Sequence, residues 1–523
     1  MNWKRILRFK CVGMGLALAL IVAIPMGNVA AKGDDFSDLI ADPIKTDAGY
    51  VSGTMIDVVE RCWIYIPTGE IQCATKLLGE VGKAVRVYRG IPYAAPPVGD
   101  LRWKPPQPVT PWKGIRECTE FTPMAPQTYK PLNPFWGNIP ESGISEDCLY
   151  LNVVTPAKHK NERLPVLVWV HGGGINTGTD SPDGVGNYMG AEGGYLAAPL
   201  PNHGAVVVTI QHRIGPLGYM AHPELTAESP HHASGNYGQL DLIASLQWVR
   251  KNIAAFGGDP HNVTFFGQSG GGSKTLWVLA SPLAKGLLQR ALVQAGCAIS
   301  SPLNPMSMCK SQQDAEANGL KLQAKAGVSN LAQLRALKWQ DIVNAVPGSG
   351  YVDTFTIDGY SLLDSLYNTF KAGNQNDVPF IIGAAEGEPL KHLGIQLWAD
   401  ALLTGRSNVY VYLMAQVPSI WKSLGVVAWH GSDVAAEFGD TVALKLFPGA
   451  LLPITLTQDP GVTEEDVAVS EYMMTMLVQF AETGDPSVKG VRWPPFSLKS
   501  GKDWYIDIEY PVKAKTGYME LYH

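Results

Sequence analysis

The sequence predicts an α/β fold in which helices flank both faces of a mostly parallel central sheet. The 523 residues are 46% hydrophobic and 17% charged, which is enough apolar material for a large core. Short apolar runs alternate along the chain with helical patterns. In the pattern at 239–256, Leu242, Leu246 and Val249 recur at spacings of three and four. Alternating runs and helical patterns are typical of a parallel sheet whose strands are buried on both faces. The apolar runs are 164–170, 205–210, 263–266, 379–382 and 409–414.

The first 31 residues have the features of a signal peptide. Four basic residues precede an apolar stretch at 12–24, and small residues lead to a cleavage point after Ala31. An uncleaved anchor is the alternative, although the stretch is shorter than the ~20 residues that span a bilayer. We therefore expect a secreted or periplasmic mature chain at 32–523, built as one catalytic domain without a further membrane span.

The charge balance argues against nucleic acid as a partner. The chain has 41 basic and 47 acidic residues and a net charge of −6, so it has no basic excess for a phosphate backbone. The sequence does not indicate the oligomeric state.

The cysteines of the mature chain predict disulfides. Of seven cysteines, Cys11 leaves with the signal peptide, and an even number in an exported chain is typical of disulfide bonding. Six cysteines allow 15 connectivities. Metal binding is the alternative, but no Cys/His cluster has ligand spacing, and we expect neither a metal nor an organic cofactor. The spacing favours the local pairs Cys62–Cys73, Cys118–Cys148 and Cys297–Cys309.

Ser269 has the setting of an activated nucleophile. It follows the strand-like run 263–266, precedes a helical pattern, and lies between Gly267 and Gly271. A sharp strand-to-helix turn would expose the hydroxyl and bring the neighbouring residues too close to the backbone for side chains. The pattern predicts a nucleophile elbow at Ser269.

The triple glycine in "WVHGGGINTG" (169–178) predicts an oxyanion hole. Attack on an ester carbonyl creates an oxyanion, which needs backbone N–H groups aimed at it. The glycines follow the predicted strand 164–170 and offer such groups without side chains. The expected donors are the N–H groups of Gly173, Gly174 and Gly270.

A base and an acid follow the serine along the chain. His430 comes after Ser269 and after the predicted strand 379–382, which ends before Glu386 and Glu388. The order serine, acid, histidine is the one expected when a serine elbow occurs on this kind of sheet. Either glutamate would supply the carboxylate that orients the histidine.

With these features, the chain resembles the type-B carboxylesterases, a family that includes cholinesterases and some lipases. The resemblance extends over nearly the whole mature chain. It implies an α/β-hydrolase fold, with long insertions forming the pocket walls, and a Ser–Glu–His triad. The matching segments are 88–108, 145–153, 211–219, 256–272 and 480–486.

The resemblance also assigns individual residues. The family's acid lies five residues after the glycine that closes its strand, which counts from Gly383 to Glu388. Family disulfides imply Cys118–Cys148 and Cys297–Cys309, and a structural ion pair of the family implies Arg102 with Glu146. Two positions depart from the pattern: Gln268 replaces the usual acid before the serine, and Gly270 replaces the frequent alanine after it.

The expected function is a serine carboxylic-ester hydrolase that acts on small esters through a covalent acyl-enzyme. One alternative is a lipase in which 119–147 forms a lid, with Phe135 and Trp136 facing lipid. The other is a non-catalytic binding protein on the same scaffold. The acyl and alcohol groups of the substrate are not readable from the sequence.

Overall fold

The computed structural model describes residues 40–57, 62–65, 70–73, 84–127, 143–178, 199–296, 308–439, 463–499 and 501–521. The predicted signal peptide at 1–31 lies outside these residues, and so do Phe135, Trp136 and most of the predicted lid. In the part of the chain that the structure describes, no helix has the length and apolar character needed to span a bilayer.

Eleven of the described strands form one sheet, in which the central strands run parallel. The strands are β1 (Ile44–Lys45), β2 (Tyr50–Ser52), β3 (Thr54–Asp57), β4 (Cys62–Tyr65), β5 (Glu70–Cys73), β6 (Ala84–Pro92), β7 (Ile115–Glu117), β8 (Tyr150–Thr155), β9 (Leu164–Val170), β10 (Val206–Ile210), β11 (Gly258–Gln268), β12 (Arg290–Gln294), β13 (Cys309–Ser311), β14 (Phe355–Ile357), β15 (Phe380–Ala385), β16 (Val409–Met414), β17 (Tyr505–Ile508) and β18 (Lys513–Lys515).

The order across this sheet is β3-β6-β8-β10-β9-β11-β12-β15-β16-β17-β18. Neighbouring strands from β10 to β17 are parallel, whereas both outer edges are antiparallel. Parallel strands need crossover connections, and helices supply several of them here. The strands predicted at 164–170 and 409–414 are confirmed at those bounds, and the predicted mostly parallel sheet is confirmed.

Helices occupy the connections and the excursions between strands. The helix predicted at 239–256 is confirmed as α4 followed by a short 3₁₀ helix. The helices are α1 (Pro199–Asn202), α2 (Gly215–Tyr219), α3 (Pro223–Glu228), α4 (Tyr237–Asn252), α5 (Gly270–Ala280), α6 (Gln312–Lys325), α7 (Leu331–Ala336), α8 (Trp339–Ala345), α9 (Leu366–Lys371), α10 (Pro389–Leu402), α11 (Ser419–Ser423), α12 (Ser432–Glu437) and α13 (Glu464–Thr483).

Helix α13 shows how local sequence sets the helix ends. Thr463 and Asp466 form a capping box, in which each side chain accepts a hydrogen bond from the backbone N–H of the other. The helix stops at Gly484, whose φ of 79° lies in the left-handed region that favours glycine.

Strand β9 shows how the core divides between the two faces of the sheet. Val166, Val168 and Val170 belong to one buried cluster, which also contains apolar residues of α4 and α5. Leu167 and Trp169 point to the opposite face and belong to the cluster that contains α13. Because a strand alternates its side chains, one continuous apolar run fills both layers.

The predicted Cys118–Cys148 bridge is wrong for this structure. Both residues are buried and carry free thiols. Neither sulfur is bonded to another sulfur, and Cys118 Sγ lies 3.9 Å from the carbonyl oxygen of Gly90. Burial raises the pKa of Cys118 to about 12 and also raises that of Cys148, so both remain protonated thiols.

The other two cysteine pairs remain predictions. Cys62 and Cys73 are directly opposite each other in the antiparallel pair β4 and β5. Cys297 lies outside the described residues, so the Cys297–Cys309 bridge is untested.

The predicted Arg102–Glu146 pair is confirmed. Arg102 donates to both carboxylate oxygens of Glu146 at 2.7 and 2.5 Å, and also to the carbonyls of Arg335 and Leu337. The bidentate geometry is the strong form of such a pair. A second bidentate pair, Arg213 with Asp241, is fully buried and was not predicted.

Candidate active site

Ser269 lies in the sharp turn between β11 and α5. The strand ends at Gln268 and the helix begins at Gly270, so a single residue makes the turn. Its φ of 59° and ψ of −121° are unusual for a residue with a side chain. The backbone N–H of Ser269 donates to Gln294 on the neighbouring β12 at 2.8 Å. This strained strand-to-helix turn has the backbone geometry expected of a nucleophile elbow.

Steric contacts explain the glycines around the serine. A Cβ at Gly267 would lie 2.5 Å from the carbonyl oxygen of Val170, and one at Gly271 would lie 2.3 Å from the same atom. A Cβ at Gly270 would lie 1.9 Å from the carbonyl oxygen of Gly174. Contacts below 3.0 Å to backbone cannot be accommodated without a shift of the chain. The expectation that side chains at 267 and 271 would clash is therefore confirmed.

The glycine loop after β9 is fixed by several hydrogen bonds. Gly173 and Gly174 have φ values of 82° and 65°. Thr177 donates twice to the carbonyl of Gly173, through its N–H at 3.1 Å and its hydroxyl at 2.7 Å. Further along, Gln127 exchanges two hydrogen bonds with the backbone of Gly178, at 2.9 and 3.0 Å. The loop is thus held at both its middle and its end.

The three predicted donors lie on two elements that meet. Gly270 is the first residue of α5, where an N–H has no partner within the helix. Within the described residues, no acceptor engages the N–H groups of Gly173, Gly174 or Gly270. The positive end of the helix dipole also favours negative charge at this point.

Glu388 and His430 form the central contact of the site. Nδ1 of His430 lies 2.6 Å from Oε1 of Glu388, and the backbone N–H of Ala385 donates to Oε2 at 3.2 Å. The carboxylate is mostly buried, at 10% exposure, whereas the imidazole is 32% exposed. The histidine therefore has a carboxylate behind it and one open side.

The environment of Glu388 keeps its carboxylate ionised. Burial alone would raise the pKa of Glu388, but the hydrogen bond and charge of His430 and the N–H of Ala385 together hold it below the ordinary value of 4.5. Ionised Glu388 therefore stabilises the fold above pH 4.5, and that contribution is lost as pH falls through the lower pKa of the folded state.

Ser269 and His430 are not hydrogen bonded to each other. Among the described residues, the Gln268 side chain also contacts the imidazole, and its Nε2 lies 3.2 Å from Nδ1 and 3.4 Å from Nε2 of His430. Gln268 is fully buried and directly precedes Ser269. Catalytic hydrogen bonds are often long or unmade in the absence of substrate.

The alternative acid, Glu386, faces other charges. Its N–H donates to the carbonyl of Met414. Burial raises the pKa of its carboxyl, and the charges acting on it are those of Asp507, Lys422 and Lys515. The contact with His430 is made by Glu388.

A second buried carboxyl behind the histidine was missed by sequence reasoning. Asp433, three residues after His430, accepts a hydrogen bond from the hydroxyl of Tyr412 at 2.6 Å. Burial raises the pKa of Asp433 to about 6; the Tyr412 hydrogen bond opposes this rise, and the negative charge of Glu388 adds to it. The segment "WHGSDV" contains this acid, but nothing in its pattern indicates that Asp433 turns inward.

The residues converge because their strands run parallel within one sheet. The glycine loop follows β9, Ser269 follows β11, Glu388 follows β15, and His430 lies in the segment after β16. The carboxyl ends of parallel strands meet at one edge of a sheet, where α/β proteins place their sites. Among the described residues, no cluster of three histidines, cysteines or acids could hold a metal ion.

Together, this sheet and the elbow at its edge define an α/β-hydrolase. A sequence model of the carboxylesterase family matches residues 62–397 and 388–521. The chain belongs to the carboxylesterase family, and it is a carboxylic ester hydrolase.

Individual relatives agree with this placement. The fumonisin B1 esterase of Sphingopyxis macrogoltabida is 37% identical over 476 residues, which cover 79% of this chain and 82% of that protein. The liver carboxylesterase 1 of Oryctolagus cuniculus is 30% identical over 508 residues, covering 82% of this chain and 86% of that protein. A solved structure of PNB esterase aligns with a TM-score of 0.71 at 24% identity over 90% of this chain and 96% of its own, which shows the shared fold.

Proposed function

We propose that this chain hydrolyses small-molecule carboxylic esters through a Ser269–His430–Glu388 triad and a covalent acyl-enzyme. The observation that carries the proposal is the 2.6 Å contact between His430 Nδ1 and Glu388 Oε1, at the sheet edge that also presents the strained Ser269 turn. The sequence further supports export of the chain after removal of 1–31.

The first half-reaction acylates the serine. With its Nδ1–H held by Glu388, His430 leaves Nε2 as the proton acceptor. It takes the proton of Ser269 Oγ as that oxygen attacks the ester carbonyl. The negative oxygen of the tetrahedral intermediate is stabilised by the N–H groups of Gly173, Gly174 and Gly270. His430 then passes its proton to the leaving alcohol.

The second half-reaction restores the enzyme. Water loses a proton to His430 Nε2 and attacks the acyl carbonyl, and the same N–H groups stabilise the second oxyanion. Collapse of this intermediate returns the proton to Ser269 and releases the carboxylic acid. Glu388 remains ionised throughout, as its lowered pKa favours, and stabilises the transient imidazolium.

Covalent labelling tests this proposal directly. A fluorophosphonate reacts with an activated serine, so it should inactivate the enzyme and add one phosphonyl group to the tryptic peptide 252–274. Fragment ions of this peptide distinguish Ser269 from Ser273. We expect the label on Ser269, and none after heat denaturation. Label on Ser273, or full activity in a fully labelled sample, would overturn the proposal.

The pH dependence of activity should respond to the residue before the serine. Only the neutral imidazole acts as the base, so kcat/KM should have a limb that rises with pH. Gln268→Glu places a carboxylate against His430 and favours the protonated ring, so the rising limb should move up by about one pH unit. The measurement is kcat/KM against pH.

Gln289→Glu is the matched control for this substitution. Gln289 lies just before β12, at the amino ends of the strands and away from the site, where it accepts a hydrogen bond from Val263 N–H at 2.9 Å. Its pH profile should coincide with that of the unaltered enzyme. Equal profiles for all three proteins would show that Gln268 does not act on the histidine.

A further inference from the structure

Lys274 is a fully buried lysine on the helix that starts at the nucleophile. It lies five residues after Ser269 on α5 and has no exposed surface. Lysine is almost never fully buried without a charged partner, yet among the described residues no carboxylate pairs with Lys274. Within the described part of the chain, its Nζ makes one hydrogen bond, which it donates to the carbonyl oxygen of His171 at 3.0 Å.

The acceptor of this hydrogen bond lies at the base of the glycine loop. His171 follows the last residue of β9 and directly precedes Gly172, the first of three glycines. Among the described residues, other hydrogen bonds to the loop come from Thr177, from Gly215 to the carbonyl of Ile175, and from Gln127 at its end. In addition, Nδ1 of His171 lies 3.0 Å from the carbonyl oxygen of Gly172. The bond from Lys274 therefore joins the start of the loop to the helix that carries Ser269.

We propose that Lys274 is a positioning residue for the oxyanion hole, which it aligns by fastening the glycine loop to helix α5. The inference rests on the proposed function, because it assumes that Gly173, Gly174 and Gly270 receive the oxyanion. Two of these donors lie on the loop and one on the helix. Their combined effect depends on a fixed distance between the two elements, since an oxyanion hole stabilises charge only when its dipoles are already in place.

Lys274 shares its buried surroundings with two histidines, His171 and His212. Burial lowers the pKa of Lys274, and its Nζ can donate to the His171 carbonyl in either protonation state. The imidazoles of His171 and His212 stack with centroids 4.6 Å apart, and both are buried. Burial and the neighbouring Lys274 lower the pKa of both rings. The amine and the two rings thus form one buried cluster at the base of the glycine loop.

The test compares Lys274→Met, which removes the donor at similar length, with Lys274→Gln, which keeps one. The control is Thr275→Val, because Thr275 is buried on the same helix but its hydroxyl bonds within the helix, to Gly271 at 2.9 Å. Three quantities are measured on the full mature chain: kcat and KM for p-nitrophenyl butyrate, and the Ki of a trifluoromethyl ketone, whose adduct carries an oxyanion.

We expect Lys274→Met to lower kcat by about 10- to 100-fold with little change in KM, and to weaken the trifluoromethyl ketone by a similar factor. Lys274→Gln should recover part of both losses, and Thr275→Val should change neither. Unchanged kcat and Ki in a folded Lys274→Met protein would overturn the inference. So would a loss of kcat without any change in Ki, because a purely structural lysine has no specific effect on oxyanion binding.

Lys274→Gln carries the test if Lys274→Met does not fold. If the inference is right, any fold reduction of kcat in this variant is matched by a similar fold increase of Ki. A reduced kcat with an unchanged Ki overturns the inference. Failure of the proposed function is distinguishable, because it would appear in the unaltered enzyme as an absence of fluorophosphonate label on Ser269.

Discussion

Ser269→Ala is expected to lower kcat/KM for p-nitrophenyl butyrate by about 10⁴-fold or more. The substitution removes the only atom that can form the acyl-enzyme in the proposed mechanism, while the glycine loop and His430 remain. Residual turnover then depends on water attack assisted by the oxyanion donors alone. Steady-state hydrolysis and loss of fluorophosphonate labelling both measure the effect.

Ser273→Ala is the matched control for this experiment. Ser273 is buried one turn further along α5, and its hydroxyl donates only weakly to the carbonyl of Ser269, at 3.4 Å. We expect this variant to keep its activity within a few-fold and to label normally. If the Ser269→Ala variant keeps substantial turnover and the Ser273→Ala variant loses it, Ser269 is not the nucleophile.

Glu388→Gln is expected to lower kcat by about 10³- to 10⁴-fold with a smaller change in KM. The amide cannot stabilise the imidazolium, and its NH₂ group favours the wrong tautomer of His430. The same substitution at Glu386 is the control, since that carboxyl lies among the charges of Asp507, Lys422 and Lys515. Glu386→Gln should leave kcat within a few-fold of the unaltered enzyme.

The variants Glu388→Gln and Glu386→Gln also decide which of the two glutamates is the triad acid. If Glu386→Gln causes the large loss and Glu388→Gln the small one, the assignment of the triad acid is wrong. Circular dichroism and thermal unfolding should accompany both variants, because Glu388 also accepts a hydrogen bond from the backbone N–H of Ala385, and a neutral amide is a weaker acceptor than a carboxylate.

The parts of the fold that were predictable are those governed by local rules. A run such as 164–170 is buried on both faces, and no other element explains its length and its lack of polar residues. The glycines at 267 and 271 were predictable because a strand-to-helix turn brings the backbone of a neighbouring strand within 2.5 Å of a Cβ at either position. A steric requirement of this kind is visible in the sequence as glycine.

Features that depend on side-chain direction were not predictable. Cys118 and Cys148 have a spacing typical of a bridge, but the Cys118 thiol lies against the Gly90 carbonyl. Sequence spacing constrains the loop length and not the orientation of two Cβ vectors. For the same reason, the Gln268 amide against His430 and the inward turn of Asp433 were found only in the structure.

Lys274 illustrates a signal that was present in the sequence and was passed over. In "SGGGSKT", the long basic side chain of Lys274 follows five small residues. This contrast is the signal, because the sequence shows no role for a lysine there. Only the structure shows that the run is buried along its length, so that the lysine has to reach a backbone acceptor.

The close approach of Gly270 to Gly174 has a consequence for engineering. Because a methyl group at 270 would lie 1.9 Å from the Gly174 carbonyl oxygen, a consensus redesign that installs alanine after the nucleophile would force the two backbones apart. Mutant libraries that vary only the glycine loop, or only the turn at the serine, would contain mostly variants with backbone clashes. Grafts between homologues should therefore move 171–178 and 267–274 together, as one cassette.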